Sequence, residues 1–310
     1  MNSLNRKIFL ITGADGFLGA ALVGELLAQG ARVYAMVRST ANLKRLKQQA
    51  ADLSLVSADI ADLNMGGIKD QMPNGIDVII HAAAVGIHSG QDDWEQLMAV
   101  NVTGTKALLD LALLCKAKRF VYIGTSFEYG NGSLWKESDE IAPRNLYGLS
   151  KNLGWCTARY YMDCFGLPVI GLRPFYLYGP TEAETRLIPT LLRAMRDGGA
   201  LPLTPGRQQL DFVYIDDAVR AVIMASLKEN IMGELFNICT GHLTSVRQAV
   251  DALKKISGKT IDVQWGAQEY RPQAWMRLSG SPQKAKKQLG FEAMIGVSEG
   301  LTKILKSDFS

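Results

Sequence analysis

Hydrophobic residues in the first half of the chain alternate between short unbroken runs and longer stretches where they recur at helical spacing. The short runs predict buried strands at residues 8–11, 32–37, 53–57, 77–81, 120–124 and 168–173. The longer stretches predict helices at residues 17–29, 92–116 and 146–165. Strands that alternate with helices in this way form βαβ units. The pattern therefore predicts an α/β fold with a doubly wound parallel sheet of the Rossmann type.

The pattern changes after Pro174, where prolines and glycines cluster and the apolar runs become shorter. Two later runs, at residues 212–215 and 234–238, are typical of strands that return to the main sheet. We therefore expect a larger domain built from the sheet and a smaller, substrate-binding lobe. The larger domain would comprise residues 1–179 and about 211–242, and the lobe residues 180–210 and 243–310.

Composition is that of an ordinary folded protein and narrows the choice of partners. The 310 residues are 47% hydrophobic and 21% charged, with a net charge of +4 and no run of Lys or Arg. These values exclude a mainly disordered chain and predict that nucleic acid is not a partner. The apolar run near the N-terminus is too short for a signal peptide, and we expect no membrane span, so a cytoplasmic protein is predicted.

Four cysteines stand at positions 115, 156, 164 and 239, without the spacing of a metal site. Their neighbours in the sequence are mostly apolar, which predicts buried and reduced thiols. We expect neither a disulfide bond nor a bound metal.

A glycine-rich turn with the pattern GxxGxxG follows the first predicted strand and precedes the first helix. In dinucleotide-binding proteins such glycines allow a tight turn, a close approach of the backbone to a pyrophosphate, and close packing of helix on strand. The helix N-terminus then offers N–H groups and a partial positive charge to the anion. The larger domain is therefore predicted to bind a dinucleotide, with an ordinary glycine-rich turn as the alternative. The residues of this turn assigned to the cofactor are Gly13, Asp15, Gly16, Phe17, Leu18 and Gly19.

The end of the second predicted strand indicates which dinucleotide is bound. NAD sites usually carry an acidic residue there for the ribose 2′-hydroxyl, whereas this strand ends at Val37 and Arg38. A guanidinium pairs well with a 2′-phosphate, so NADP is predicted in preference to NAD; a solvated surface arginine is the alternative. Asp59, after the third strand, is placed either to bond the adenine amino group or to cap a turn.

Tyr147 and Lys151 lie four residues apart, on one face of a predicted helix. A tyrosine ordinarily ionises near pH ~10, and an adjacent ammonium favours the phenolate and brings proton exchange closer to neutral pH. Thr125 follows the strand predicted at 120–124, at the edge of the sheet where ligands bind. We predict that these three side chains are catalytic. The alternatives are a tyrosine that packs beside a lysine stem and a turn capped by Thr125 or Ser126.

Further motifs occur in a fixed order along nearly the whole chain. They are TGADGFLG at 12–19, HAAA at 81–84, NVTGT at 101–105, YGLSK at 147–151, LRPFYLYGP at 172–180, DFVYIDD at 211–217 and FNI at 236–238. With these motifs the chain resembles the extended short-chain dehydrogenases/reductases that act on nucleotide sugars. The resemblance implies a catalytic triad of Thr125, Tyr147 and Lys151, with Asn101 structural or assisting a proton relay. It also implies cofactor contacts from Ala82, Ala83, Pro174, Phe175 and Leu177. The cofactor is further assigned to Asp59, Ile60, Ala84, Asn101, Tyr147 and Lys151.

Departures from the family pattern indicate the reaction. Members that dehydrate nucleotide sugars carry Asp and Glu directly after the threonine, where this chain has Ser126 and Phe127. The predicted function is therefore NADPH-dependent reduction of a nucleotide-linked 4-keto-(di)deoxy sugar. The sugar is expected to be CDP-linked, as for abequose and paratose synthases, in deoxysugar and lipopolysaccharide biosynthesis. The alternatives are an NAD-dependent nucleotide-sugar 4-epimerase and a non-catalytic dinucleotide sensor or scaffold.

The nucleotide-sugar substrate is assigned to residues near the predicted triad and in the smaller lobe. The family often has Asn at the position of Tyr176 and Arg at that of Leu210, and both normally help to hold the diphosphate. Arg207 or Arg271 is expected to supply the charge instead, unless each is a solvated surface residue. The alternative for Phe127 and Tyr176 is that they are core aromatics, and the alternative for His88 is that it is an ordinary loop residue. Substrate contacts are expected from His88, Thr125, Ser126, Phe127, Tyr147, Tyr176, Arg207 and Arg271.

Residues 92–116 and 146–165 carry apolar side chains on more than one side of each predicted helix. Family members commonly pair these two helices across a dimer interface, and the resemblance implies a homodimer here. The alternative is that all these side chains are buried in the core of a single chain.

Overall fold

The structure is a computed structural model that describes residues 4–38, 43–46, 51–63, 65–73, 75–87 and 92–308. Its strands are β1 (Ile8–Thr12), β2 (Arg32–Val37), β3 (Leu53–Ser57), β4 (Val78–His81), β5 (Phe120–Ile123), β6 (Gly132–Trp135), β7 (Val169–Pro174), β8 (Tyr176–Tyr178), β9 (Ala200–Leu203), β10 (Gln209–Leu210), β11 (Phe212–Tyr214), β12 (Leu235–Ile238), β13 (Thr244–Ser245), β14 (Asp262–Trp265) and β15 (Arg277–Gly280). Its α-helices are α1 (Phe17–Ala28), α2 (Met65–Gln71), α3 (Trp94–Met98), α4 (Gly104–Leu114), α5 (Leu146–Phe165), α6 (Leu187–Asp197), α7 (Ile215–Leu227), α8 (Val246–Ser257) and α9 (Val297–Asp308).

The main sheet has seven strands in the order β12-β7-β5-β4-β1-β2-β3. β1 pairs in parallel with β2 on one side and with β4 on the other. The parallel pairing continues from β2 to β3, from β4 to β5 and from β5 to β7. The chain thus runs outward from β1 in both directions, which confirms the predicted Rossmann-type sheet. The strand order reverses between β1 and β4, the position where such sheets bind ligands beyond the carboxyl ends of their strands.

The main sheet is buried because its strands are apolar on both faces. Phe9, Leu10 and Ile11 in β1 have no exposed surface, and every residue of β4 and β5 is buried. The helices contribute further apolar side chains to this core, among them Leu108 and Leu111 of α4. Burial of one such side chain contributes about 1.5–3 kcal/mol to stability. The unbroken apolar runs therefore account for strands that helices cover on both faces.

The strands and helices predicted in the first half differ from the observed bounds by one or two residues at most. The prediction for residues 212–215 is wrong in one respect, because this strand does not return to the main sheet. β12 occupies the position next to β7, and β11 pairs in parallel with β8 instead. An apolar run indicates a strand, but its partner depends on which neighbouring position is already filled.

The helix predicted at residues 92–116 is one continuous helical stretch, Trp94–Leu114, with a change of hydrogen bonding inside it. A π-helical segment, Ala99–Thr103, separates α3 from α4. Such single wide turns are frequent at functional sites. By length and composition this stretch could cross a membrane, contrary to the expectation from the sequence. Half of its most apolar window is buried inside the protein, and the core helices of soluble proteins also meet these criteria of length and composition.

The chain divides into two compact units. The first comprises Met1–Glu128, Ile141–Arg173 and Val219–Phe236, and the second comprises Tyr129–Glu140, Pro174–Ala218 and Asn237–Ser310. The second unit contains a four-stranded sheet, β13-β10-β15-β6, and two sheets of two strands, β11-β8 and β14-β9. The predicted partition differs, because it gives the larger domain residues 129–140, 174–179, 211–218 and 237–242.

Two of the four cysteines contradict the prediction of buried thiols. Cys115 and Cys239 are buried, whereas Cys156 and Cys164 on α5 are exposed. A helix turns by about 100° per residue, so Cys156 faces outward although its neighbour Trp155 is buried. Apolar neighbours in a helical sequence therefore do not show which face a cysteine occupies. Within the described residues, no group of three or more His, Cys, Asp or Glu side chains could hold a metal ion.

Candidate active site

The turn between β1 and α1 forms a cradle that side chains would fill. Gly13 has a φ of +62°, and a Cβ at this position would lie 2.7 Å from the Ala83 Cα. A Cβ at Gly19 would overlap the Gly13 carbonyl oxygen, and one at Gly16 would lie 3.0 Å from the same oxygen. The glycines thus allow the turn itself, its close approach to the half-buried segment 82–84, and the packing of α1 against the turn.

The first turn of α1 offers N–H groups to a ligand. Gly16 precedes the helix and supplies no side-chain hydrogen bond, and the turn at Phe17 and Leu18 holds no acidic residue. No acidic side chain within the first turn of α1 therefore neutralises the positive end of the helix dipole. Arg45 Nη1 donates to the Asp15 carbonyl at 3.3 Å, which adds a cation at the edge of the turn. Together with the glycine cradle, these groups fit the pyrophosphate of a dinucleotide cofactor.

Arg38 and Asp59 follow the ends of β2 and β3 and are exposed. Asp59 Oδ1 accepts a hydrogen bond from the Ala61 N–H at 2.9 Å and so caps the short 3-10 turn Ile60–Asp62. The turn-capping alternative is thus realised for Asp59, and its contact with adenine stays a prediction. Ile60 is buried in the core, and a Cβ at Gly104 would lie 2.9 Å from its carbonyl oxygen.

His81 at the end of β4 links the glycine turn to the long helical stretch. Burial lowers the pKa of His81 well below its ordinary value, so the ring is neutral. The Thr105 hydroxyl donates to the Asn101 carbonyl at 2.7 Å and therefore accepts from His81 Nε2–H, which is 2.9 Å away. The other ring nitrogen, Nδ1, then accepts from the Thr12 hydroxyl at 2.8 Å. The same Thr12 oxygen accepts from the Ala83 N–H at 3.2 Å, which fixes the segment beside the cradle.

Tyr147 and Lys151 lie one turn apart at the start of α5 and are 6% and 1% exposed. Asn145 caps this helix, because its Oδ1 accepts from the Gly148 N–H at 2.8 Å. A Cβ at Gly148 would overlap the Phe127 carbonyl oxygen, so the helix begins directly against the turn that follows β5. The Phe127 ring contacts the Tyr147 ring edge-on, with the ring centroids 6.3 Å apart.

Lys151 is a buried cation held against an aromatic ring. Its Nζ lies 4.4 Å from the centroid of the Tyr122 ring, and the Tyr122 hydroxyl donates to the Lys151 carbonyl at 2.7 Å. Burial lowers the pKa of Lys151 to about 8, and the charge of Glu128 opposes that fall. Burial also raises the pKa of Tyr122 well above its usual value, so this phenol keeps its proton. At neutral pH Lys151 is therefore an ammonium.

Thr125 lies just beyond the end of β5 and is 7% exposed. Its hydroxyl oxygen accepts from the Phe127 N–H at 3.3 Å, which is the turn-capping contact. Because the Thr125 oxygen is the acceptor in this contact, the Thr125 hydroxyl can still donate its proton to a ligand. Ser126 is buried in the same turn. Phe127 thus bonds to Thr125 through its N–H and packs against Tyr147 through its ring.

Asn101 connects the long helical stretch Trp94–Leu114 to α5 by hydrogen bonds. It has no exposed surface, and its side chain bonds the Val85 backbone in both directions, at 3.0 Å to the N–H and 2.9 Å to the carbonyl. Its Nδ2 also donates to the Ser150 hydroxyl at 2.8 Å, which in turn donates to the Tyr147 carbonyl at 2.9 Å. These contacts are those of a structural residue and hold Tyr147 in position.

Several predicted ligand residues belong to the second unit. Phe175 is 4% exposed and its ring centroid lies 6.3 Å from that of Tyr129, as in a core aromatic. Tyr176 is half-buried, with the Arg186 guanidinium 4.7 Å from its ring centroid. Pro174 and Leu177 are likewise half-buried. Their predicted contacts with the cofactor and the substrate stay predictions.

Arg207 and Arg271, the candidates for a diphosphate, are both exposed. The Tyr270 hydroxyl accepts from the Arg207 N–H at 2.9 Å, so the two segments that carry these arginines touch within the second unit. His88 lies outside the described residues.

Sequence reasoning assigned no role to Glu128 and Arg173, which form a buried ion pair. Arg173 Nε lies 2.8 Å from Glu128 Oε2, and the two side chains are 2% and 0% exposed. An arginine inside an apolar strand is a signal for such a pair, because a buried charge without a partner is strongly destabilising. The partner could not be identified in advance, since it is 45 residues away in the chain.

The long helices expose some of their apolar side chains and bury others. Leu108, Leu111 and Trp155 are in the core, whereas Leu114 and Tyr160 are each 55% exposed. Burial within one chain thus accounts for the first group only. The homodimer stays a prediction, and the exposed group defines the surface on which it depends.

Curated relatives and a family profile match most of the chain. The profile of the NAD dependent epimerase/dehydratase family matches residues 9–239. The uncharacterized UDP-glucose epimerase YtcB of Bacillus subtilis is 27% identical over 319 residues, which covers 94% of this chain and 95% of the relative. A UDP-N-acetyl-alpha-D-glucosaminuronate decarboxylase of Bacillus cytotoxicus is 28% identical over 268 residues, which covers 81% of each chain.

Solved structures are similar over nearly the whole length. The UDP-glucuronic acid 4-epimerase from Bacillus cereus, in complex with UDP-glucuronic acid and NAD, has a TM-score of 0.87 and 27% identity, over 97% of this chain and 99% of that chain. The dTDP-glucose 4,6-dehydratase DesIV from Streptomyces venezuelae, with NAD and TYD bound, has a TM-score of 0.87 and 27% identity, over 96% of both chains. The resemblance inferred from the motifs is confirmed, and the chain belongs to the NAD dependent epimerase/dehydratase family.

Proposed function

We propose that this protein transfers a hydride between a nicotinamide dinucleotide and C4 of a nucleotide sugar. The observation that carries the proposal is the buried pair of Tyr147 and Lys151 next to the turn of Thr125. A dinucleotide sensor or scaffold has no use for a buried phenol and ammonium beside a hydroxyl. This proton-transfer set therefore favours an enzyme.

Each of the three side chains has a distinct task in such a reaction. When bound, the dinucleotide supplies or accepts the hydride. The Thr125 hydroxyl donates a hydrogen bond to the oxygen on C4. Tyr147 gives a proton to this oxygen during reduction, and its phenolate removes the proton during oxidation. The Lys151 ammonium favours the phenolate electrostatically, and its burial strengthens that effect.

Epimerisation at C4 is the outcome that the relatives support. Proteins named as a UDP-glucose epimerase and a UDP-glucuronic acid 4-epimerase match 94% and 97% of this chain. An epimerase oxidises C4 and then returns the hydride to the opposite face of the sugar, so the same three side chains suffice. Dehydration is disfavoured, because Ser126 and Phe127 are not acids.

Arg38 supports a second candidate, which is NADPH-dependent reduction of a nucleotide-linked 4-keto deoxysugar with CDP as the proposed nucleotide. Arg38 follows β2 directly and is exposed, and positions 36–39 contain no carboxylate for a ribose 2′-hydroxyl. A guanidinium at this position pairs with a 2′-phosphate.

Replacement of Arg38 by Asp is expected to shift the preference from NADP toward NAD by about tenfold or more, since a carboxylate repels the 2′-phosphate and accepts from the 2′-hydroxyl. Calorimetric titration with each dinucleotide measures the shift. Arg32→Asp is the matched control, because Arg32 is exposed at the other end of β2. An unchanged preference in the Arg38 variant would contradict the assignment of NADP.

Product analysis separates the two candidate reactions. The purified protein is incubated with UDP-glucose, UDP-glucuronic acid or a CDP-linked 4-keto deoxysugar, with each dinucleotide in turn. Epimerisation yields the C4 epimer without net change in nicotinamide absorbance, whereas reduction consumes one NADPH per product. If no sugar nucleotide of these classes is altered with either dinucleotide, the proposal is wrong.

Turnover is expected to fall as the pH rises above about 8. The pKa of Lys151 is lowered to about 8 from an ordinary 10.5, so the ammonium loses its proton in this range. The loss of this proton does not itself unfold the protein, because the unfolded chain binds the proton more tightly and the contribution of Lys151 to the free energy of unfolding rises with pH through the same range. The measurement is kcat against pH at saturating substrate. In Lys151→Arg the charge persists, and an alkaline fall at the same pH in this variant would refute the assignment.

A further inference from the structure

The Glu128 carboxylate joins the Thr125 turn to the main sheet. Glu128 ends the short helical turn Ser126–Glu128 and has no exposed surface. Its Oε1 accepts from the Thr125 N–H at 2.8 Å, and its Oε2 accepts from Arg173 Nε–H at 2.8 Å. Both carboxylate oxygens are therefore bonded, one to the turn of the proposed site and the other to β7.

Gly124 provides the space for this carboxylate. A Cβ at Gly124 would lie 2.5 Å from Glu128 Oε1 and 3.4 Å from Arg173 Cγ. The absence of a side chain at this position lets the carboxylate reach the backbone at Thr125. Gly124, Glu128 and Arg173 thus form one arrangement behind the turn.

The charge of Glu128 also acts on Lys151. The titratable groups that contact or act on the Lys151 ammonium are Tyr122 on β5, His81 on β4, and Glu128, and Tyr147 precedes Lys151 by one turn on the same helix. His81 and Tyr122 are neutral, because burial lowers the pKa of the histidine and raises that of the phenol. Among the described residues, Glu128 is the one carboxylate that opposes the effect of burial on the pKa of Lys151.

Glu128 is ionised in this setting although it is buried. Burial raises the pKa of Glu128, whereas Arg173, the Thr125 N–H and the charge of Lys151 all act in the opposite direction. A carboxylate that receives two N–H hydrogen bonds beside a guanidinium is strongly favoured in its charged form.

We infer that Glu128 is a positioning residue, which fixes the Thr125 turn by bonding it to Arg173 and supplies the buried negative charge that acts on the Lys151 ammonium. The inference rests on the proposed function for its effect on turnover, but the charge on Lys151 is open to direct measurement. Glu128 touches neither the sugar nor the dinucleotide in this proposal. It acts through Thr125 and Lys151.

Two variants separate charge from packing. Glu128→Gln keeps an oxygen to accept from the Thr125 N–H and removes only the charge, but it leaves the buried Arg173 without its anion and so endangers folding. The double variant Glu128→Gln/Arg173→Gln replaces the ion pair by two amides that can bond to each other. Its thermal unfolding is expected to be close to that of the wild type. Glu137→Gln is the matched control, because Glu137 also accepts a backbone N–H, that of Asn237 at 2.7 Å, and belongs to the second unit.

The decisive measurement is the titration of Lys151 by NMR in protein labelled at the lysine side chains, with the signal assigned through Lys151→Arg. We expect the Lys151 signal to titrate at lower pH in Glu128→Gln than in the wild type and in Glu137→Gln, and by a smaller shift in the double variant, which also removes the Arg173 cation. The alkaline fall of kcat moves in the same direction, so turnover at pH 8 drops severalfold in Glu128→Gln. A wild-type Lys151 titration in Glu128→Gln would overturn the inference, and if this single variant does not fold, an unchanged titration in the double variant would do so. If the wild type turns over no nucleotide sugar, the proposed function fails while the NMR titration still decides the action of Glu128 on Lys151.

Discussion

Replacement of Tyr147 by phenylalanine is expected to lower kcat by about 10³-fold, the range in which general acid–base groups contribute. The substitution removes one hydroxyl and keeps the ring. The ring contacts are extensive, since Phe127 packs edge-on against it and a Cβ at Gly86 would lie 3.2 Å from its Cδ2. The fold and the affinity for the dinucleotide should therefore change little. Steady-state kinetics with a substrate identified by product analysis, together with a dinucleotide titration, measure the two effects separately.

Tyr160→Phe is the matched control for this substitution. Tyr160 lies on the same helix, also loses only a hydroxyl, and is 55% exposed. Its kcat should equal that of the wild type. If Tyr147→Phe also retained wild-type turnover, Tyr147 would not be the proton donor, and the proposed chemistry at C4 would lose its central residue.

Alanine at Gly19 is expected to destabilise the protein by about 3 kcal/mol and to weaken dinucleotide binding by more than tenfold. Overpacking of a close contact by one methyl group commonly costs this much. The added Cβ would overlap the Gly13 carbonyl oxygen, and it would lie 2.9 Å from the Ala14 Cα. The turn must then move away from α1, which displaces the N–H groups that would receive the pyrophosphate. Chemical denaturation and a binding titration measure the two losses.

Gly24→Ala provides the comparison within the same helix. Gly24 is exposed in α1, and a Cβ there would meet no atom within 4 Å. Because alanine favours the helix by about 0.5–1 kcal/mol over glycine, this variant should be slightly more stable than the wild type. Equal binding losses in the two variants would contradict a specific function of the glycine turn.

The sequence patterns identified the main sheet because strands that are buried on both faces consist of short, unbroken apolar runs. A run such as Phe9–Ile11 has no polar position and is short, as expected of a strand that is covered on both faces. The glycine turn could also be predicted from the sequence, because the spacing of its glycines is determined by contacts between near neighbours such as Gly13 and Gly19. Tyr147 and Lys151 could be predicted for the same reason, because they are near neighbours in the sequence, one helical turn apart.

Contacts between distant residues were not predictable from the same patterns. Asn101 bonds to Ser150 across 49 positions, and Glu128 bonds to Arg173 across 45. Their geometry depends on how the helices pack, which periodicity does not specify. For Thr125, a short hydroxyl side chain suits a turn cap and a ligand contact equally well, and the structure realises the cap without excluding the ligand.

The first unit is assembled from three separate pieces of the chain, and the last of them ends at Phe236. During synthesis on the ribosome, β7 therefore emerges about sixty residues before β12, the strand that covers its outer edge. Until then the nascent chain presents an apolar strand with unpaired backbone groups, which is a hazard for aggregation. Truncations that stop between these two strands should accordingly be recovered as insoluble material, even though they retain the entire glycine turn and the whole of α5.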